Sequence, residues 1–313
     1  MIAMPTSGFA ISVEEDNVEL DALCDWIEGS LLFSNSDRLS GTEVADILCE
    51  NNIYRKKEMA NVRVSNAWSE LKRRHTSMGT TSPFIFESLS ASRKGDPWKV
   101  SAAHAFCVLL SLSKWYRKWA EAFGSNYTKQ GELFEQLTKE SLEVLFVGWQ
   151  VRQTGWTTKN TKKLRDVVSN VSKWLGESEG NVKKWSKGKE NEAGLDIVCF
   201  YPFMDGRGGL PAFFFQCSSG TNYDKKFSEP RMHQWHNLIE FTAKGLPMKA
   251  FSTPYAFLDH DFTCNCQLID GLLLDRYRLL AAGAIKSDWL SKDLISNLSK
   301  WGKPRAAKLP KID

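Results

Sequence analysis

A carboxylate, an amide and a hydroxyl stand near one end of two neighbouring segments that the sequence predicts to be β-strands, Leu195–Tyr201 and Ala212–Cys217. The glycine-rich run between these segments indicates a hairpin turn. Pairing across a turn centred on this run places Asp196 opposite Ser218, one step on the same face from Gln216. The sequence therefore predicts three polar side chains on one face at the end of a sheet.

The apolar surroundings of Asp196 make ionisation of its carboxyl energetically unfavourable. Apolar residues flank it in both segments, among them Phe213, Phe214 and Phe215. A carboxylate at the end of buried strands is costly to desolvate unless it is paired, hydrogen-bonded or bound to a cation. Two interpretations follow from the residues alone: Asp196 is a cation ligand, or it is a strand-end aspartate that water and backbone groups solvate.

The motifs in these segments resemble the PD-(D/E)XK nuclease superfamily, and within it the Mrr-type restriction endonucleases. The resemblance covers about residues 129–255 and extends more loosely to nucleases of bacterial anti-phage defence loci. It implies an α/β fold with a restriction-endonuclease-like αβββαβ core, a mixed sheet and metal-dependent cleavage of DNA. The residues that carry it are Gly194-Leu195-Asp196-Ile197-Val198, Phe215-Gln216-Cys217-Ser218 and the upstream helix Gln130-Gly131-Glu132-Leu133-Phe134-Glu135.

The resemblance also implies a role for individual residues. Asp196 would be the bridging ligand of one or two Mg²⁺ or Mn²⁺ ions, and Gln216 would supply an oxygen ligand. Glu132 would be a second carboxylate, acting directly or through water. Glu135, nearly one turn further along the same predicted helix, is an equal geometric candidate.

Ser218 departs from the family pattern, because the family has a lysine at this position. That ammonium group positions the attacking water and offsets charge on the phosphate, whereas serine carries no charge. Lys225 and Lys226 follow within eight positions, and we hypothesise that one of them takes the catalytic role. The alternative is a damaged active site.

Positive charge is concentrated in one segment of the chain. Residues 159–189 contain nine Lys or Arg against three acidic residues, although the whole chain has a formal net charge of only +4. The segment lies between the first predicted strand of the core and the Asp196 strand, so we expect it to overhang the site, although a solvated surface has the same composition. A basic tail at 300–311 would add non-specific affinity. The predicted nucleic-acid contacts are Lys159, Lys162, Lys163, Arg165, Lys183, Lys184 and Asn222.

Hydropathy periodicity divides the chain into three regions. Residues 1–95 are predicted to form a helical region, for which a winged-helix-like unit is one interpretation. Residues 96–125 are predicted to form a long connecting helix. Residues 126–313 are predicted to form the nuclease domain with the basic insertion and C-terminal helices. Helices are predicted at 18–32, 42–50, 64–74, 132–144, 230–243, 268–283 and 287–300. Strands are predicted at 145–151, 195–201, 212–217 and 248–252.

Composition excludes two classes of protein. The 313 residues are 42% hydrophobic, which rules out a mainly disordered chain. No window approaches about 18 consecutive apolar residues, which rules out an integral membrane protein. Seven scattered cysteines and a start without a secretory pattern predict a cytoplasmic protein. Two motifs contain the ligand types of half a zinc site, Cys264-x-Cys266 and His233-x-x-His236. Their spacing fits no standard zinc finger.

The leading hypothesis is a Mg²⁺-dependent endodeoxyribonuclease that acts as the effector of a bacterial restriction or anti-phage defence system, with a sensor or ATPase subunit as its protein partner. The alternative, which Gln216 and Ser218 favour, is a nuclease-fold subunit that only binds nucleic acid or serves as a scaffold. A third hypothesis is a winged-helix regulator. The sequence does not distinguish DNA from RNA as the partner.

Overall fold

The computed structural model describes residues 1–5, 7–9, 18–124, 126–154, 164–185 and 193–312. The described chain is an α/β protein whose residues group into two compact units. Unit 1 consists of residues 1–126, 254–258 and 276–313, and unit 2 consists of residues 127–253 and 259–275. The C-terminal helical segment thus groups with unit 1 instead of continuing the domain that was expected to begin at residue 126.

Helices make up most of unit 1 and flank the main sheet of unit 2. None of them, in the part of the chain that the structure describes, is long and apolar enough to cross a membrane. In chain order they are α1 (Leu20–Phe33), α2 (Gly41–Glu50), α3 (Lys57–Thr76), α4 (Pro97–Val100), α5 (Ala102–Trp115), α6 (Arg117–Glu121), α7 (Thr128–Leu145), α8 (Leu164–Leu175), α9 (Val182–Trp185), α10 (Met232–Leu238), α11 (Asp259–Ile269), α12 (Arg276–Leu280), α13 (Ala282–Ile285) and α14 (Lys292–Ala306).

The strands form one small sheet in unit 1 and two sheets in unit 2. In chain order they are β1 (Arg38–Ser40), β2 (Phe84–Phe86), β3 (Ser90–Arg93), β4 (Gln150–Gln153), β5 (Ser178–Glu179), β6 (Ile197–Phe200), β7 (Ala212–Cys217), β8 (Ile239–Glu240), β9 (Met248–Ser252) and β10 (Leu272–Leu274). The sheet orders are β1-β3-β2 in unit 1, and β10-β9-β7-β6-β4 and β5-β8 in unit 2.

Unit 1 begins with the three predicted helices, which are present as α1, α2 and α3. Ser40 caps α2 by accepting a hydrogen bond from the backbone N–H of Glu43, whose side chain in turn accepts from the N–H of Ser40. The long connecting helix that was expected over 96–125 is instead broken into α4, α5 and α6. The breaks fall at Ser101 and Tyr116, whose ψ angles of 71° and 64° are not helical.

Unit 2 is built on a mixed five-stranded sheet. Strands β4, β6 and β7 are antiparallel neighbours, and β9 and β10 continue the sheet parallel to β7. Helices α8 and α10 bury apolar side chains against one face, with Val168, Phe214 and Trp235 in the same cluster. Helix α7 packs against β4, β6 and β7. The strand predictions at 195–201, 212–217 and 248–252 are confirmed as β6, β7 and β9.

Three predicted elements of this region differ from the structure. Helix α7 extends to Leu145 and β4 starts only at Gln150, because Gly148 adopts a left-handed φ of 85° between them. Residues 272–274 form β10 at the edge of the sheet and are not helical, since a short leucine run fits either structure by its pattern. The helix predicted over 230–243 ends at Leu238, where β8 begins.

Two helical glycines provide opposite tests of this packing. A Cβ atom at Gly131 in α7 would meet no atom within 4 Å, whereas one at Gly302 in α14 would lie 1.9 Å from a ring carbon of the buried Trp98. We expect G131A to raise the free energy of unfolding by about 0.5–1 kcal/mol through helix propensity. We expect G302A to lower it by about 1–3 kcal/mol, because the indole ring must move. Urea denaturation followed by circular dichroism measures both, and a G302A protein as stable as the wild type would contradict the packing of α14.

Candidate functional site

Asp196 and Gln216 meet at one end of the β6–β7 pair. Asp196 directly precedes β6, and Gln216 is the second-last residue of β7. Gln216 Nε2 donates a 2.7 Å hydrogen bond to Asp196 Oδ2, and the backbone N–H of Cys217 donates one of 2.6 Å to the same oxygen. Asp196 is 8% exposed and Gln216 3% exposed. The sequence prediction that these two polar residues lie together in an apolar setting therefore agrees with the structure.

The predicted pairing of Asp196 with Ser218 is wrong by two positions. Ile197 pairs with Phe215 and Phe200 with Ala212, so the same ladder places Asp196 beside Gln216. The connection between the strands is long, and only short turns determine a hairpin register from sequence. Ser218 is also buried, and its backbone N–H donates to the carbonyl of Ser252 at the end of β9.

Burial controls the charge of Asp196. Loss of water contact raises the pKa of this carboxyl from 3.8 to about 6, against the lowering effects of the Cys217 N–H and of the positive charge of Lys226. The negative charge of Glu229 raises the pKa further. Both hydrogen bonds from described residues reach Oδ2, which leaves Oδ1 as the atom able to take another ligand.

A short 3-10 turn, Tyr223–Lys226, holds the two lysines proposed to replace the motif lysine. Lys225 and Lys226 are both exposed, but only the charge of Lys226 contributes to the pKa of Asp196. The structure therefore favours Lys226 over Lys225. Asn222, a predicted phosphate contact, is exposed and accepts a hydrogen bond from the backbone N–H of Lys225.

Helix α7 brings Glu135, the second of the two candidates on this helix, nearer to the strand ends than Glu132. Glu132 forms a 3.3 Å ion pair with Lys129 on the same helix and, among the described residues, does not contact Asp196. After burial and Asp196, the negative charge of Glu135 is the next contribution that raises the pKa of the Cys217 thiol. The helical phase explains the difference, because Thr138, whose hydroxyl contacts Ser252 Oγ at the end of β9, lies about 60° around the helix from Glu135 and about 120° from Glu132.

Gly194 makes the turn that leads into Asp196. Its φ is +71°, a left-handed value that favours glycine, and a Cβ atom here would lie 2.8 Å from Cβ of Glu229. Any larger residue would therefore displace Glu229, one of the charges that act on Asp196. This close approach gives a physical reason for the glycine two positions before the aspartate.

The described residue that precedes the basic segment lies beside Asp196. Thr154, at the end of β4, donates from its backbone N–H to the carbonyl of Asp196 and from its hydroxyl to the carbonyl of Leu195. After the segment, the described residues resume at Ala193, three positions before Asp196. Arg165 on α8 and Lys184 on α9 are exposed. Lys159, Lys162 and Lys163 lie outside the described residues, as does the side chain of Lys183.

Three further ligand-type residues, which the sequence analysis did not single out, gather in unit 1. They are Glu28, His75 and His104, whose ligand atoms lie within 4.8 Å of one another. They come from three separate helices, so no sequence motif joins them, and the only signal is a histidine inside the apolar run of α5. Cys264 Sγ lies 3.7 Å from His260 Nε2, and neither this pair nor the His233-x-x-His236 motif belongs to a group of three ligands in the described chain.

The pH dependence of stability tests the burial of Asp196. Because the pKa of Asp196 is higher in the folded protein, protonation of this carboxyl stabilises the folded state at low pH. The wild type loses this stabilisation as pH rises from about 4 to about 6 and has none of it at higher pH. A pKa change from 3.8 to about 6 corresponds to roughly 3 kcal/mol. We expect D196N to match the wild type near pH 4 and to be about 1–3 kcal/mol more stable at pH 7.5.

Urea denaturation at the two pH values provides the measurement, with D205N as the matched control because Asp205 is exposed in the β6–β7 connection. D205N should follow the wild type at both pH values. An equal loss of stability in D196N at pH 4 and pH 7.5 would contradict the raised pKa.

No model of a known protein family, no curated protein and no solved structure matches this chain. A function for it has to come from the residues and geometry of the site.

Proposed function

We propose that this protein is a metal-dependent endonuclease that hydrolyses DNA phosphodiester bonds at the Asp196 end of the unit 2 sheet. The observation that carries the proposal is the buried contact of Asp196 with Gln216, where β6 begins and β7 ends. Among the described residues no ion pair neutralises Asp196, and a divalent cation is the usual compensation for such a carboxylate.

The order of elements in unit 2 supports this proposal. Helix α7, strands β4, β6 and β7, helix α10 and strand β9 follow the αβββαβ order that the resemblance implies. Helices α8 and α9 and strand β5 stand between β4 and β6, in the place of the basic insertion. The insertion follows Thr154, which lies beside Asp196 at the polar end of the core, where a bound phosphate backbone would pass.

Mg²⁺ or Mn²⁺ is the cofactor that suits this site, since both prefer carboxylate and carbonyl oxygens. Asp196 Oδ1 is the available carboxylate oxygen, and Gln216 Oε1 and Glu135 are further donors close to the strand ends. Gln216 now directs its nitrogen at Asp196, so ligation through its oxygen requires the amide to turn. When bound, the ion supplies a polarised phosphate and an activated water.

The protein's own cation at this site is Lys226. Ser218 is only 3% exposed and carries no charge, so it cannot replace the ammonium group of the family motif. The charge of Lys226 acts on Asp196 from an exposed turn, where its flexible side chain is able to reach a bound phosphate. In the proposal Lys226 offsets negative charge that develops on the phosphate during cleavage.

Unit 1 favours duplex DNA as the substrate. Its first elements run α1, β1, α2, α3, β2 and β3, with an antiparallel sheet in the order β1-β3-β2. Two consecutive helices followed by a hairpin are the order of elements in a winged-helix unit, and the second helix of such a pair is the one that enters the major groove. That helix is α3, and it exposes Ser65, Asn66 and Ser69, whose side chains can hydrogen-bond to base edges.

A role in restriction or anti-phage defence, with a sensor or ATPase subunit as partner, rests on the resemblance of the motifs alone. A nuclease that acts on duplex DNA has to be restrained in its own cell, and a partner subunit is one means of restraint.

A second candidate function is a nucleic-acid-binding or scaffold subunit without activity. Two observations favour it: Gln216 contributes a neutral amide with its nitrogen towards Asp196, and Ser218 is buried without charge. Both weaken the affinity for a divalent ion relative to a site with several carboxylates. Catalytic activity separates the two candidates.

Nicking of supercoiled plasmid in Mg²⁺ or Mn²⁺ tests the proposed chemistry. We expect D196N to lose at least about 100-fold in cleavage rate, because the metal-binding carboxylate is removed. K226A should lose about 10- to 100-fold, because the positive charge beside the phosphate is removed. The matched controls D205N and K225A should stay within about threefold of the wild type, since both residues are exposed and neither acts on Asp196.

Fluorescence anisotropy with a duplex oligonucleotide in EDTA separates binding from cleavage in the same preparations. Retained binding by D196N supports a catalytic role for Asp196. Equal nicking by D196N and D205N would exclude the proposed site. A wild-type protein that binds the duplex and cleaves neither DNA nor RNA would favour the scaffold function.

A further inference from the structure

Three helices of unit 1 bring a carboxylate and two imidazoles together in its core. Glu28 lies on α1, His75 on α3 and His104 on α5. Glu28 Oε1 lies 2.8 Å from His75 Nε2 and 2.9 Å from His104 Nε2. Glu28 and His104 have no exposed surface and His75 is 4% exposed. Three groups that bind metals thus face one point that solvent does not reach.

The contact of His104 with Glu28 lacks the geometry of a well-formed hydrogen bond. Neither ring nitrogen of His104 has a hydrogen-bond partner of normal geometry in the described chain, although Nε2 lies 2.9 Å from the carboxylate. A buried polar atom without a well-formed hydrogen bond is energetically unfavourable. An ion between the ring and the carboxylate would accept the nitrogen lone pair and remove this cost.

Buried guanidinium groups compensate the carboxylates around this point. Asp25 and Glu28 both accept hydrogen bonds from Arg276, at 2.9 Å and 2.8 Å. Arg276 has no exposed surface. Arg74 is also buried, bonds Glu70 through its Nε and adds positive charge that acts on Asp25. A cation site here therefore rests on the geometry of the three ligand groups and not on an excess of negative charge.

Neighbouring side chains already orient the three groups. Arg276 holds Glu28 Oε2, which turns Oε1 towards the two rings. Ser82 Oγ lies 2.9 Å from His75 Nδ1, the kind of bond that fixes the ring of a metal-binding histidine. The hydroxyl of Tyr277 donates to Glu28 Oε1 at 2.6 Å and lies 3.4 Å from His75 Nε2, so a further oxygen is at hand.

We propose that Glu28 Oε1, His75 Nε2 and His104 Nε2 bind one divalent transition-metal ion of the zinc class. Two imidazoles and a carboxylate suit Zn²⁺, whereas Mg²⁺ takes oxygen ligands. Zinc bonds of about 2.0–2.1 Å in tetrahedral geometry place ligand atoms about 3.3 Å apart. The two ring nitrogens lie 2.8 Å and 2.9 Å from Glu28 Oε1, so zinc binding moves each ring about half an ångström away from the carboxylate. The ion links α1, α3 and α5, stabilises unit 1, and takes no part in the chemistry at Asp196.

Metal content of the full-length protein tests the proposal. The chain is unfolded in a chelator, refolded with or without Zn²⁺, desalted and analysed by mass spectrometry of the elements. We expect about one zinc per chain in the wild type and less than about 0.2 in H104Q. H260Q, which changes a histidine outside the cluster, and D196N should both keep about one zinc, so loss of the ion is distinguishable from failure of the proposed nuclease site.

Two further measurements keep the test decisive if H104Q does not fold. Zn²⁺ should raise the unfolding temperature of the refolded wild type, and Co²⁺ should give visible absorption bands of a four-coordinate site. Folded wild type that retains no Zn²⁺, Co²⁺, Mn²⁺ or Fe²⁺ would overturn the proposal. Zinc that persists in H104Q but is lost in the double variant C264S/C266S would overturn it as well, by placing the ion at the cysteine pair.

Discussion

The hydrogen bonds of Asp196 are the constraint on which the polar end of unit 2 depends. Its side chain receives two donors from the end of β7, its backbone N–H donates to Phe215, and its carbonyl accepts from Thr154 at the end of β4. A single residue therefore connects three strands at the point where their ladders end. Its carboxylate is buried there at a cost that the two donors offset only in part, and this residual cost raises the affinity of the carboxylate for a proton.

The elements around this residue follow from the same geometry. Because β6 begins where β7 ends, Thr154, which precedes the basic insertion, lies at the same end of the pair as the loop after Cys217 and the turn with Lys226. Helix α7 adds Gln130, which donates to the carbonyl of Ser219, and Glu135. Polar groups from distant parts of the sequence thus meet at one end of the strands, while the face of the sheet that packs against α8 and α10 is apolar.

The sequence predicts the strands of this site better than their pairing. Runs such as Phe213-Phe214-Phe215 between turn residues allow little besides a strand, and β7 and β9 have the predicted bounds. The register and the choice between Glu132 and Glu135 depend on a long connection and on helix phase, which local pattern does not determine. The leucines of β10 fit helix and strand equally. Glu28, His75 and His104 meet only through tertiary packing, so no spacing in the sequence indicates them.

Anomalous diffraction from crystals grown with Mn²⁺ tests the proposal that Asp196 and Gln216 hold a divalent cation between two strand ends. We expect an anomalous peak within about 2.3 Å of Asp196 Oδ1, with the Gln216 amide turned to present its oxygen. A bound Mn²⁺ elsewhere in the crystal, with Asp196 still bonded to Gln216 Nε2 and no peak beside it, would exclude a cation site here and leave Asp196 as a structural residue.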